Sequence, residues 1–165
     1  MGGLISIIII LLLVTIQGSF LPLFSINGIV ADLSLVFLVL LSLQKGNVYT
    51  LLLAIWAGFL QDVVLLDFIG IHIAAKLFTC YIIINFKDYF YKENLLMILL
   101  SLVFATFIHQ WVMQFFMVFL DVVSISFYDV LTNQFVPLLI QNLIVMILFY
   151  VPLKKLISDK NFYQL

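Results

Sequence analysis

The chain has 165 residues, of which 66% are hydrophobic and only 9% charged, and its mean hydropathy is +1.32. A soluble domain carries about 25% charged and 45–50% apolar residues, and a disordered chain has still more charge, so both classes are excluded. Net charge is −1, from seven lysines, eight acidic residues and no arginine, which leaves no basic footprint for nucleic acid.

Runs such as Leu4–Val14 and Leu33–Leu43 are almost unbroken apolar stretches. They lack the alternation of barrel strands and read as helices, which satisfy their own backbone in lipid. The expected spans are Leu4–Phe24, Ile29–Leu43, Val48–Leu66, Phe68–Phe86, Leu95–Leu120 and Val130–Pro152. At about 20 residues per span they fill the chain, so one polytopic membrane domain over residues 1–165 is expected. The first span has no Lys or Arg before it. Its Thr15-Ile16-Gln17-Gly18-Ser19 stretch is a poor cleavage site, so it reads as an uncleaved span rather than a signal peptide.

Span two carries Asp32 near its start. Span three repeats Ala54, Gly58 and Asp62 at four-residue spacing, and span four holds Gly70, His72, Ala74 and Lys76. Small residues four apart let helix backbones approach closely; a tight hairpin of spans three and four is expected, with docking of a partner helix as the other use of that face. Spans five and six bear His109, Gln110, Gln114, Asn133, Gln134, Gln141 and Asn142. These would bond the two spans together, or else line a polar cavity or a docking stripe. Pro137 is expected to kink span six.

Lysines orient the chain. Lys45, Lys87, Lys92, Lys154, Lys155 and Lys160 fall in the even loops and the tail, whereas the odd loops carry Asp67, Asp121 and Asp129. Both termini are therefore expected in the cytoplasm. Tyr49, Tyr89, Tyr91, Tyr150 and Tyr163 lie near the inner edge, as an interfacial belt would.

Ionisable groups inside a span cost about 2.5–3.5 kcal/mol at its centre, so Asp32, Asp62, His72 and Lys76 each need an account. At a rise of about 1.5 Å per residue, Asp32, Asp62 and His72 sit about 5–6 Å below the outer edge and Lys76 about 12 Å. The lysine stem spans about 6 Å and brings its ammonium within reach of either carboxylate. Three readings stand: a desolvated ion pair that fixes the packing of spans two to four, a proton, ion or substrate site, or simple snorkelling to the surface. Nothing ionisable occupies the inner half, which counts against a proton pump. Nucleophilic triads, phosphate loops and metal-ligand spacings are absent from the sequence, and the lone Cys80 reads as packing. No catalysis and no cofactor are expected.

The stretch Ala31–Phe86 resembles the rod shape-determining MreD family. The matching residues are Asp32, the turn Gln44-Lys45-Gly46, Gly58, Asp62, Gly70 and His72. Two positions depart from the pattern: Ala31 stands where the family often has Pro, and Lys76 where an apolar or aromatic residue is usual. The resemblance implies an all-α integral membrane protein of six transmembrane helices in the bacterial cytoplasmic membrane. It further implies a non-catalytic scaffold of the cell-elongation machinery that binds MreC through that protein's membrane helix. Through MreC it would support MreB, RodA and a class B penicillin-binding protein in lateral peptidoglycan synthesis. The family's fold is similar to the substrate-binding S components of energy-coupling-factor vitamin transporters, which supplies an alternative function. Such S components place an Ala-x-x-x-Ala pattern on the first span, and this one has no Ala. On either reading Asp32, Gly58, Asp62, Gly70, His72 and Lys76 are the candidate structural or docking residues.

Overall fold

In a computed structural model, residues 2–44, 48–65, 70–90, 95–120 and 127–158 are described. Lys45, Gly46, Asp67, Tyr91, Lys92, Asp121, Lys160 and Tyr163 lie outside them. Among the described residues the chain is a bundle of six helices: α1 (Gly2–Ser19), α2 (Leu33–Gln44), α3 (Val48–Leu65), α4 (Ile71–Phe90), α5 (Leu95–Phe119) and α6 (127–158).

The outer surface of the bundle is apolar, and so is most of its core, within which polar side chains are buried. Leu4, Ile8 and Leu12 of α1, Phe78 and Tyr81 of α4, Phe115 of α5 and Ile144 and Leu148 of α6 face outward. Asp32, Gln61, Asp62, Lys76, His109 and Asn142 are buried. An apolar exterior with the polar side chains gathered inside suits lipid, where there is no water to satisfy an exposed polar group. Hydroxyls that must sit within helices bond back one turn, as Thr15 does to the Leu11 carbonyl at 2.8 Å and Thr79 to that of Ala75 at 2.7 Å.

Helix α2 is the axis of the molecule. Leu33 to Leu43 are all buried, and each of the other five helices touches it. A helix that is apolar all round belongs in the middle of a bundle. Its 12 residues rise only about 18 Å, well short of the about 30 Å of a hydrocarbon core. Leu95–Phe119 and Val130–Tyr150 are long and apolar enough to cross a membrane, while Leu4–Ser19, Leu33–Gln44 and Val48–Val64 are shorter apolar helices.

Three boundaries differ from the sequence expectation. The first helix ends at Ser19, and a 3₁₀ turn over Leu21–Phe24 follows, with Pro22 inside it. Proline lacks the N–H that a continuing α-helix needs. The second begins at Leu33 rather than Ile29. Ile26 and Ile29 instead exchange backbone hydrogen bonds of 3.0 and 2.9 Å across Asn27 and Gly28, whose φ values are +53° and +78°. Asn-Gly with both φ positive is the signature of a type I′ turn. In the last helix the α-helical turn Phe127–Asp129 passes through a π-helical stretch, Val130–Phe135, into Val136–Ser158. Pro137 sits one residue beyond the C-cap of that stretch, so the missing proline N–H is met by a local widening of the helix.

Candidate functional site

Asp32 is the N-cap of α2. Its Oδ1 accepts the Leu35 backbone N–H at 2.9 Å and the Ser34 hydroxyl at 2.8 Å, while its carbonyl accepts the Val36 N–H at 3.1 Å. Side-chain acceptors at this position satisfy the orphan amides of a first turn. The same carboxylate reaches three other helices. Gln61 of α3 donates to Oδ1 at 3.2 Å, Lys76 of α4 donates to Oδ2 at 2.5 Å, and His109 Nε2 of α5 stands 3.9 Å from Oδ2. The Asp32 backbone N–H in turn donates to Asn142 Oδ1 of α6 at 2.8 Å. Asn142 also donates to Thr106 of α5 at 3.3 Å.

Lys76 is fully buried, and its ammonium donates to Ser34 at 2.8 Å as well as to Asp32. Of the two carboxylates within reach of this lysine in the sequence reading, the structure gives it Asp32. Asp62 is committed elsewhere. Its Oδ2 accepts the Gly70 N–H at 2.7 Å and its Oδ1 the His72 N–H at 3.0 Å. It therefore caps α4 from the end of α3, placing a carboxylate at the positive end of a helix. Asp32 with Lys76, and Asp62 with the start of α4, are thus two separate assemblies.

The glycines explain how Asp62 gets there. A Cβ on Gly58 would lie 2.4 Å from the Ile73 Cα and 2.6 Å from its nitrogen, so α3 and α4 touch backbone to backbone at this level. One turn later Asp62 lies against the first turn of α4. Gly70 has φ of +111°, a conformation that suits only glycine, and its carbonyl accepts the Ala74 N–H at 2.9 Å. The close hairpin expected of spans three and four is present, with Ala54, Ala57 and Ala75 buried. Ala74 also lines a groove toward α5.

Polar residues of α5 and α6 divide between two tasks. Gln110 and Gln114 both donate to Gln134 Oε1, at 2.9 and 2.5 Å, and so join the two helices. Gln141 donates to the Ile29 carbonyl at 2.9 Å and holds the Asn27-Gly28 turn. Asn133 is exposed. Between these groups and the Asp32 assembly lies a cavity of about 470 Å³, lined among others by Gln17, Gln61, His72, His109 and Gln134. The His72 and His109 rings are 6.4 Å apart across it. Among the described residues no group of three metal-ligating side chains occurs.

The model of the rod shape-determining protein MreD matches residues 2–160, nearly the whole chain. The chain belongs to the MreD family. No curated protein and no solved structure matches it significantly. MreD proteins are membrane proteins with a role in rod shape determination, a structural family and not a known enzyme family. The sequence marks Asp32, Gly58, Asp62, Gly70, His72 and Lys76 as candidates, but Gln61 and Ser34 as partners of Asp32 were missed. It gave Asn142 to the joining of spans five and six, or to a polar cavity or docking stripe, and did not foresee its bond to the Asp32 backbone. The available signals were an Asp directly before an apolar run, which marks a helix start, and the Asn27-Gly28 dipeptide, which marks a turn.

Proposed function

We propose that this chain is a single-domain, six-span protein of the bacterial inner membrane with both ends in the cytoplasm. It acts there as a non-catalytic scaffold of the elongation machinery. It binds MreC through that protein's membrane helix, and through MreC supports MreB, RodA and a class B penicillin-binding protein in lateral peptidoglycan synthesis. Its six-helix plan we take to be that of transporter S components, as a fold alone. The vitamin-import alternative is set aside, because the family match covers residues 2–160.

The observation that carries the reading is the family membership. The Asp32 assembly supports it, since its charges are bound to one another and tie helices together rather than stand ready to react. Asp32, Gly58, Asp62, Gly70, His72 and Lys76 then act by holding α2, α3 and α4 in one arrangement. A groove between α4 and α5, of about 800 Å³ and lined by Ala74, Phe78, Tyr81, Trp111 and Phe115, opens beside them on the apolar exterior. We take it as the seat of the MreC helix. Close seating of one helix on another favours a small residue at the contact, and Ala74 supplies it.

The experiment is gentle solubilisation of native membranes carrying a tagged chain, with mass spectrometry of what co-purifies. Recovery of MreC with wild type, and its loss with Ala74→Trp at unchanged yield, is the expected result. Recovery of paired ATPases with a coupling subunit, or equal MreC recovery from both proteins, would contradict it.

A further inference from the structure

We infer that the cavity beside Asp32 is a binding site for an uncharged, hydroxyl-rich molecule, either free or as the headgroup of a membrane glycolipid. The site lies where the C-terminal ends of α1, α3 and α5 meet the N-terminal ends of α2, α4 and α6. Polar side chains enter it from separate elements: Gln17 from α1, Gln61 from α3, His109 and Gln114 from α5, Gln134 from α6. Convergence of this kind in a space of about 470 Å³ matches small-molecule pockets, which run to about 300–1,000 Å³.

Three of these groups, Gln17, Gln61 and His109, are left incomplete by the protein itself, and the last two are almost fully buried. Gln61 is 2% exposed and His109 4%, yet the Gln61 Oε1 and both ring nitrogens of His109 have no hydrogen-bond partner. A buried polar atom left in that state is costly, so each calls for a partner in the cavity. Charge sets the kind of partner. Asp32 is the sole acidic residue in the lining, which among the described residues includes no Lys or Arg. Its oxygens already take Ser34, Leu35, Gln61 and Lys76. An anion would find no free cation there, and a cation no free carboxylate. Glutamine side chains and an imidazole ring offer both acceptors and donors, and a hydroxyl group matches both. Pro22, Met113, Met117 and Leu138 complete the walls and suit the carbon face of a sugar ring.

This inference does not depend on the scaffold reading. Its test uses the full chain, purified in a detergent without sugar and placed in nanodiscs of phosphatidylethanolamine and phosphatidylglycerol. Tritiated methyl glucopyranoside is the free probe, and glucosyl diacylglycerol added to the bilayer is the lipid probe. Saturable binding of at least one is expected. Binding of the free probe assigns a soluble ligand, and binding of the lipid probe alone assigns a headgroup. Met113→Trp, which fills the space, and His109→Phe, which removes an acceptor, should each weaken binding by about tenfold or more with thermal unfolding little changed. No saturable binding of either probe, with water alone in the cavity, would overturn the inference. So would binding that both variants leave intact.

Discussion

Asp62 holds two backbone N–H groups at the start of α4, and the two atoms it accepts them with are different oxygens. Asp62→Asn keeps one acceptor and should cost about 0.5–2 kcal/mol, as a weakened cap does. Asp62→Ala leaves two amides without their partner, at about 1–3 kcal/mol for each that stays buried. Thermal unfolding in detergent should therefore rank wild type above Asn and Asn above Ala; an alanine variant that melts with wild type would remove the capping role. The importance of this residue was legible in the sequence, but its partner was not. Helical rise gives the depth of a side chain in the membrane and says nothing of which helix stands beside it. Asp32 and Asp62 share one depth, so Lys76 could be matched to either until the packing of α2 against α4 was known.

At the level of elements, the approach of α3 to α4 rests on two glycines that fail differently. Gly58→Ala drives a methyl group into the Ile73 backbone, with the nearest atom at 2.4 Å, and backbone cannot yield as a side-chain tip does. Gly70→Ala meets nothing within 4 Å and bears only the strain of its φ, about 1–3 kcal/mol. We expect Gly58→Ala to be the more damaging, measured as folded yield and melting temperature of the two variants side by side; the reverse order would place the hairpin's close contact elsewhere. The four-residue spacing of small residues made this contact legible. Helix starts were less so. Averaged hydropathy stays high from Ile29 through Leu43 although Asp32 interrupts the run, so the helix start shows only in the single residues Asn27-Gly28 and Asp32, whose turn and cap are matters of backbone conformation and single hydrogen bonds. Pro137 gave the site of disturbance in α6, and the structure adds that a π-helical turn stands just before it.

Across the whole molecule, Asp32 is where the helices are joined: it bonds to groups on α3, α4 and α6 while capping α2. With α2 in contact with every other helix, loosening this point should open the bundle as a unit rather than fray one end. Removing one member of a buried ion pair leaves the other uncompensated, at a typical cost of about 3–5 kcal/mol. Replacing both with neutral groups of similar shape is far milder. The chain carries its own reporter of opening, because its single cysteine, Cys80, lies 1% exposed in α4. The decisive measurement is the temperature at which a fluorogenic maleimide labels Cys80 in wild type, Asp32→Asn, Lys76→Met and the double variant. Each single change should lower that temperature by several degrees, and the double variant should recover most of the loss. Single variants that protect Cys80 as well as wild type, or a double variant no better than the worse single, would contradict Asp32 and Lys76 as the clamp of this fold.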